Sequence, residues 1–511
     1  MIAFLRNTWR GLTSMRTALI LLFLLALAAM PGALLPQRSL NPPNVTAYIA
    51  GHGWWGTLLD RMQFFDVYAS VWFSAIYLML FISLVGCLLP RTFEYAKALR
   101  AQPVLTPRNL ARLPHHETAD LDAAAADVIA AARARLRGWR LVEREEADGA
   151  RSVSAERGYL RETGNLIFHF AMLGLIVALA LGKMFNYEGQ VIVKADGSEF
   201  CNSGTLNYDS FRPGLRVDGT DLSPFCVRVN DFKADYLPTG QADMFTAKID
   251  YQAGADLAAN TWRPYDLQVN SPLRTAGDRV YLLGHGYAPT FTVVWPNGEE
   301  RRQTIQWRPV DNLTLLSEGA TKFDPPGVTD SEERRKRQLV VTGLLAPTAL
   351  MHDKLLTSGF PDLRDPAVAV DVLRGDSGLD SGRGQSIFGI DQSMVDNGRL
   401  TKVARENLRP GEAITLDDGT KIRFDGVERW VSLQVSHDPT QVWVLVSAVL
   451  MILGLGASLT VKRRRLWVRA VPQDEGRTVV EVGGLARTDQ AGYGEEFRTV
   501  AAELLSPRRG T

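Results

Sequence analysis

The residues best suited to chemistry in this sequence are two of its seven histidines, His169 and His437. His169 lies near the start of an apolar run, and His437 lies just before another, followed by Asp438 and Pro439. An ionisable side chain at membrane depth is costly, so its presence suggests a functional site. Because neutral imidazole is a good axial ligand for haem iron, both histidines are candidate haem ligands. The alternatives are a hydrogen-bonded structural histidine at 169 and an interfacial histidine at 437.

The three cysteines are expected to have structural rather than catalytic roles. Cys201 and Cys226 lie in a long polar region, where a disulfide between them would close a loop of about 25 residues and contribute roughly 3–4 kcal/mol. Two buried free thiols are the alternative. Cys87 lies inside an apolar run and is expected to be a small core residue rather than a reactive thiol. The chain has no CxxC or CxxCH spacing, which argues against thiol-redox chemistry, a zinc ribbon and covalently attached haem.

The remaining sequence contains few signals of catalysis or of nucleic-acid binding. There is no G-x-S-x-G nucleophile motif, no H-E-x-x-H zinc motif and no Gly-rich phosphate loop. The net charge of +1 provides no electrostatic excess for binding nucleic acid. We therefore expect a protein that is non-catalytic on its own and that has no nucleic-acid partner.

Four apolar runs are long enough to cross a membrane, since about 20 residues span the hydrocarbon core. The mean hydropathy of the 511 residues is -0.06, so a large polar part must accompany these spans. The first run follows Arg16, and a cleaved signal peptide is the alternative reading there. The predicted transmembrane helices are residues 17–35, 69–89, 165–185 and 442–461.

Basic residues orient the four spans, because cytoplasmic loops carry an excess of Lys and Arg. Arg6, Arg10 and Arg16 precede the first span, Lys462 to Arg465 follow the fourth, and the loop between the first two spans contains only Arg38 and Arg61. Both termini are therefore predicted to be cytoplasmic. The predicted segments between the spans are a cytoplasmic N-terminus (1–16), an outer loop (36–68), a cytoplasmic loop (90–163), an extracytoplasmic domain (186–440) and a cytoplasmic tail (462–511).

The extracytoplasmic domain is predicted to be β-rich. Short runs of β-branched and aromatic residues, such as residues 280–283, 291–295 and 421–427, alternate with turn residues. The pattern favours a sandwich or barrel-like domain, with a short helix expected at residues 394–405. The predicted fold is therefore an α-helical four-span bundle plus a large β-rich extracytoplasmic domain. In the cytoplasm we expect a helix at residues 123–136 and a part-ordered tail.

Several stretches, in order along nearly the whole chain, make the sequence similar to the ResB family of cytochrome c biogenesis proteins. The family often continues the last of these motifs with Gly, where this chain has Thr440. The stretches that resemble the family are residues 12–18 with 35–37, 65–73, 83–87 with 90–91, 164–169, 222–225, 231–232, 270–273 and 437–439.

The resemblance implies a subunit of the two-component haem-delivery system (system II) of the bacterial plasma membrane. Such proteins pair with a polytopic partner, ResC or CcsA, and the pair is thought to move haem b across the membrane and present it to apocytochrome c. Thiol-reduction proteins of the ResA or CcdA type would prepare the acceptor cysteines. The alternative is a scaffold or apocytochrome chaperone that supports the partner and does not itself bind haem.

Overall fold

The computed structural model describes residues 2–39, 42–146, 149–353, 355–379, 388–486 and 492–505. The end of the predicted tail, residues 506–511, lies outside the described residues. The chain divides into two compact units, one formed by Met1–Leu179 with Gln441–Thr511 and the other by Ala180–Thr440. The α-helices in the described residues are α1 (Ile2–Leu12), α2 (Met15–Leu34), α3 (Pro42–Arg61), α4 (Val71–Arg100), α5 (Ala125–Arg135), α6 (Arg161–Phe185), α7 (Ala255–Ala259), α8 (Ser331–Arg337), α9 (Gln392–Asp396), α10 (Gln441–Thr460) and α11 (Tyr493–Leu505).

The β-strands alternate with these helices and are concentrated between α6 and α10. They are β1 (His115–Leu121), β2 (Arg140–Glu145), β3 (Arg151–Arg157), β4 (Tyr187–Lys194), β5 (Ser198–Cys201), β6 (Ser210–Pro213), β7 (Phe225–Tyr236), β8 (Ala242–Ala253), β9 (Arg263–Gln268), β10 (Leu273–Thr275), β11 (Asp278–Val294), β12 (Glu300–Thr304), β13 (Arg308–Pro309), β14 (Ser317–Phe323), β15 (Leu339–Ala346), β16 (Ala349–His352), β17 (Leu355–Ser358), β18 (Ala367–Gly375), β19 (Leu400–Leu408), β20 (Ala413–Thr415), β21 (Lys421–His437), β22 (Arg464–Pro472) and β23 (Thr478–Ala486).

Four of the described helices, α2, α4, α6 and α10, are long and apolar enough to cross a membrane. Serine caps begin two of them. The Ser14 hydroxyl accepts a hydrogen bond from the Thr17 amide at 3.2 Å, and the Ser70 hydroxyl accepts one from the Phe73 amide at 3.3 Å. Helix α4 runs to Arg100, past the predicted end of its span at residue 89.

Helices α6 and α10 pack closely through glycines. A Cβ atom added at Gly454 would lie 2.7 Å from the Phe168 amide nitrogen and 2.8 Å from the Gly164 carbonyl oxygen. A Cβ atom at Gly164 would lie 2.7 Å from the Ser458 nitrogen. Small residues allow membrane helices to approach backbone to backbone, so packing rather than hydrophobicity joins these two helices.

The predicted cytoplasmic loop and tail form one folded sheet, which we call the terminal sheet. Its strand order is β1-β23-β22-β3-β2, so the two tail strands lie between strands of the loop. Helices α5 and α11 pack on it, with Val128, Val468, Val482 and Phe497 in their common core. The sequence predicted a part-ordered tail. In the structure the described part of the tail folds into β22, β23 and α11.

The second unit is built on a seven-stranded sheet with the order β10-β11-β21-β4-β6, in which β12 also pairs with β11 and β20 with β21. A four-stranded sheet (β5-β7-β8-β9) and a five-stranded sheet (β13-β14-β15-β18-β19) accompany it, with the hairpin β16-β17. The two central strands, β11 and β21, are each 17 residues long. They contribute Val280 and Val431 to one hydrophobic core and Phe291 and Phe424 to a second.

One local sequence interpretation is confirmed in a longer element, and another is wrong. Residues 280–283 and 291–294 are strand residues, as predicted, but they belong to the single strand β11, which ends at Val294 and has irregularities in register near Gly284 and Phe291. The helix expected at residues 394–405 is limited to α9, since the chain from Leu400 onward pairs with β18. In both cases pairing with a distant strand decides the extent of the element.

Candidate functional site

His437 is the last residue of β21, where it pairs with Tyr187 at the start of β4. Its Nδ1 atom lies 2.6 Å from Oδ1 of Asp278, the first residue of β11. The Asp278 side chain is fully buried, while the His437 side chain remains 27% exposed. The strand ends thus hold the Nδ1 edge of the imidazole against a buried carboxyl group and leave part of the ring accessible.

Three donors converge on the Asp278 carboxyl group. The Tyr187 hydroxyl donates to Oδ2 at 2.6 Å, Asn202 Nδ2 donates to the same oxygen at 3.1 Å, and His437 binds Oδ1. The Tyr208 hydroxyl in turn donates to Asn202 Oδ1 at 2.7 Å. Burial raises the pKa of Asp278, and the hydrogen bonds from Tyr187 and His437 oppose that shift.

This network determines the tautomer of His437. An ionised carboxylate only accepts hydrogen bonds, so Nδ1 of His437 carries the proton and donates it to Asp278. The lone pair of the neutral ring is then on Nε2. A carboxylate behind an imidazole is the usual arrangement for orienting a histidine that binds a metal.

The aromatic neighbour of His437 is Tyr187, whose ring is nearly parallel to the imidazole at a centroid distance of 5.2 Å. Burial, together with the hydrogen bond to Asp278, raises the pKa of the Tyr187 hydroxyl, so it remains a donor at neutral pH. On another side, a Cβ atom at Gly277 would lie 3.8 Å from His437 Cε1. The glycine therefore leaves that edge of the ring without a side chain.

A disulfide joins Cys201 to Cys226, 25 residues apart, where β5 pairs with β7. Asn202 follows directly, and its amide nitrogen donates to the Phe225 carbonyl oxygen at 2.8 Å. The crosslink therefore lies next to the residue that connects Asp278 with Tyr208.

His169 lies on α6, in the other unit. Its Nδ1 atom is 2.8 Å from the carbonyl oxygen of Asn165, one turn earlier. A carbonyl oxygen only accepts, so Nδ1 carries the proton and the Nε2 lone pair is available. The ring is half-buried and meets the Phe168 ring edge-on at 5.2 Å.

In both histidines the Nε2 lone pair is free, so each imidazole has the chemistry of an axial ligand for haem iron. The two residues belong to different units of the chain. Across the part of the chain that the structure describes, no group of three or more His, Cys, Asp or Glu side chains could hold a metal ion. Haem iron needs no such group, because the porphyrin holds the iron and the protein adds only axial ligands.

The partners of His437 were missed by the sequence interpretation. Asp278 is 159 residues from His437 and 91 from Tyr187 along the chain. An acidic residue that begins a strand carries no local signal of such a role, because pairing of strands alone brings these residues together.

Among the described residues, four helices long and apolar enough to span a membrane occur together with large β-sheets, and they define the class as a membrane protein. The family model of the ResB-like family matches residues 15–498, and the chain belongs to this family. Curated relatives include the cytochrome c biogenesis protein CcsB of Synechococcus sp. strain CC9902, which is 24% identical over 494 residues covering 95% of each chain. CcsB of Paulinella chromatophora is 21% identical over 514 residues, covering 98% of this chain and 99% of the relative.

Proposed function

We propose that this protein is a subunit of a membrane complex for cytochrome c biogenesis, in which it binds haem b in transit and presents it to apocytochrome c. His169 and His437 supply axial ligands at two stages of the path. The partner is a polytopic protein of the ResC or CcsA type, and thiol-reduction proteins of the ResA or CcdA type prepare the acceptor cysteines.

The observation that carries this proposal is the pair formed by His437 and Asp278. The carboxylate is held by Tyr187 and Asn202 as well as by His437, so the network fixes the imidazole in one orientation and keeps the ring partly exposed. A fixed Nε2 lone pair on an accessible ring is what an axial ligand of haem iron needs. The names of the relatives, which are cytochrome c biogenesis proteins, agree with it.

The proposed orientation puts residues 186–440 outside the plasma membrane as a sandwich of sheets, with both termini in the cytoplasm. The clusters of Arg and Lys next to α2 and α10 support it. The disulfide between Cys201 and Cys226 supports it as well, since disulfides persist in oxidising compartments. His169 then lies near the cytoplasmic face and His437 near the outer face.

Absorption spectra of the detergent-purified complex with its ResC-type partner test the function. We expect the Soret band of His169→Ala to fall or shift relative to wild type, and His437→Ala to lower c-type haem in cells. Unchanged spectra and unchanged c-type haem in both variants would place the haem path on the partner. This chain would then be a scaffold and apocytochrome dock.

Asp278→Asn tests the orienting carboxylate. The new amide nitrogen would face the donors of Tyr187 and Asn202, so the network should weaken and c-type haem should fall part of the way toward the His437→Ala level. Asp266→Asn is the matched control, because Asp266 is exposed on β9.

A further inference from the structure

A polar cavity of about 570 Å³ lies among the ends of α4, α6 and α10 and the start of β22. Its volume is within the range of small-molecule sites, roughly 300–1,000 Å³. The charged residues that line it are Arg91, Glu94, Arg161, Glu162, Arg463 and Arg465.

The lining arginines differ in how their charge is balanced. Arg463 lies 2.6 Å from both Glu156 and Glu162, and Arg465 is 3.4 Å from Glu156. These two cations are therefore neutralised by carboxylates and hold the cavity wall in place.

Arg91 and Arg161 are not balanced in this way. Arg161 donates its Nε to the Ser458 carbonyl oxygen at 3.0 Å, a neutral partner. Among the residues that the structure describes, Arg91 is exposed and makes no hydrogen bond or ion pair. Glu94 also lines the cavity, so the charge left to attract a ligand comes from two arginines opposed by one carboxylate. The cavity consequently favours an anion.

Asn165 connects this cavity to His169. It lines the cavity, and its carbonyl oxygen accepts the hydrogen bond from His169 Nδ1 at 2.8 Å. His169 is therefore one helical turn, about 6 Å along the axis, from a residue of the cavity wall. Along α6, an imidazole that can bind iron is thus followed, about one turn away, by a cavity that favours an anion. A ligand with an apolar, iron-containing centre and carboxylates at one edge matches this arrangement.

We propose that this cavity binds the propionate carboxylates of haem, with Arg91 and Arg161 as the recognition residues. This inference rests on the proposed function and adds the residues that select and orient the ligand. Arginine is suited to this role because its planar guanidinium pairs with a carboxylate through two parallel hydrogen bonds. The phosphate of an anionic lipid shares the same chemistry, and the experiment separates the two.

The test uses the full-length chain with its membrane partner in nanodiscs of zwitterionic lipid, titrated with haem b and with haem b dimethyl ester, whose propionates are methylated. We expect Arg91→Ala to weaken haem b binding about 10-fold, the worth of one charged hydrogen-bonded contact. Binding of the dimethyl ester should not change in this variant. Arg161→Ala should behave in the same way.

Two further variants sharpen the test. Glu94→Gln removes the opposing carboxylate, so it should strengthen binding of haem b but not of the ester. Arg100→Ala, an exposed arginine on the same helix and outside the cavity lining, should affect neither. An Arg91→Ala variant that loses both ligands equally, or neither, would overturn the proposal.

The remaining outcomes also distinguish the hypotheses. An effect of Arg91→Ala that occurs only in nanodiscs containing anionic lipid would assign the cavity to a lipid phosphate instead. Haem b binding that depends on His169 but not on Arg91 would overturn this inference and leave the proposed function standing. Haem b binding that is the same in wild type, His169→Ala and His437→Ala would contradict the proposed function.

Discussion

His285 illustrates how the surroundings of one residue determine its chemistry. It is buried on β11 beside the rings of Phe232 and Phe245, at centroid distances of 4.7 and 4.5 Å. Its Nε2 is 3.1 Å from the Tyr236 hydroxyl. Burial, with a smaller effect of Arg429, lowers the pKa of His285 to about 4. His437 also lies on a strand of the same sheet, but it is partly exposed and has a carboxylate partner. The same residue type thus gives a structural group at 285 and a candidate ligand at 437.

The pKa of His285 predicts acid sensitivity of the strands around it. Between pH 6.5 and 4 the unfolded chain binds more protons than the folded chain, so the stabilisation is present above pH 6.5 and declines as the pH falls toward 4. We expect the free energy of opening of β7 and β8, measured by hydrogen exchange, to fall by up to about 2 kcal/mol from pH 7 to pH 5.

His285→Phe provides the comparison for this experiment. Phenylalanine fits the aromatic surroundings and does not titrate. The fall in the free energy of opening between pH 7 and pH 5 should therefore be smaller in the variant than in wild type, by up to about 2 kcal/mol. Equal losses in wild type and variant would show that other groups cause the acid sensitivity.

Helices α6 and α10 illustrate how packing depends on which face of a helix a glycine occupies. Gly454 of α10 lies against the backbone of α6, whereas a Cβ atom at Gly456, two residues on, would meet nothing within 4 Å. Tyr77 of α4 also bonds α6, donating to the Ile176 carbonyl oxygen at 3.3 Å. Close backbone contact and a few polar bonds therefore hold these helices together, as expected where lipid removes most of the hydrophobic driving force.

Leucine at the two glycines of α10 tests this packing. Gly454→Leu should lower the thermal midpoint of the purified protein, because overpacking costs about 1–3 kcal/mol or more. Gly456→Leu should leave it unchanged or raise it slightly, since leucine has the higher helix propensity by roughly 0.8 kcal/mol. Equal shifts in the two variants would contradict direct packing of α10 on α6.

At the scale of the whole molecule, the tail after α10 is folded onto segments far away in sequence. Strands β22 and β23 of the tail occupy the centre of the terminal sheet, with β3 on one side and β1 on the other. Arg463 before this sheet bonds Glu156, 307 residues away along the chain. The loop before α6 and the tail after α10 therefore depend on each other for their stability.

Lysine at neighbouring tail positions tests this dependence. Val480 is fully buried in the core of the terminal sheet, so Val480→Lys should cost more than about 3 kcal/mol and expose both the tail and residues 101–160 to protease in membrane vesicles. Val479 faces away from that core and is half-buried opposite Asp120, so Val479→Lys should be tolerated. Cleavage limited to the tail in Val480→Lys would show that the loop folds independently.

The sequence by itself determined the four apolar helices, the β-rich region and the candidate ligands His169 and His437. A bilayer sets the length and apolar composition of a span locally, and alternation with turn residues indicates strands over short windows. Only the tertiary structure decided that residues 280–283 and 291–294 belong to one long strand and that the tail completes a sheet. It likewise decided that Asp278 stands behind His437. Those features depend on pairing between strands far apart in the chain, and no local pattern of residues encodes which strand will be the partner.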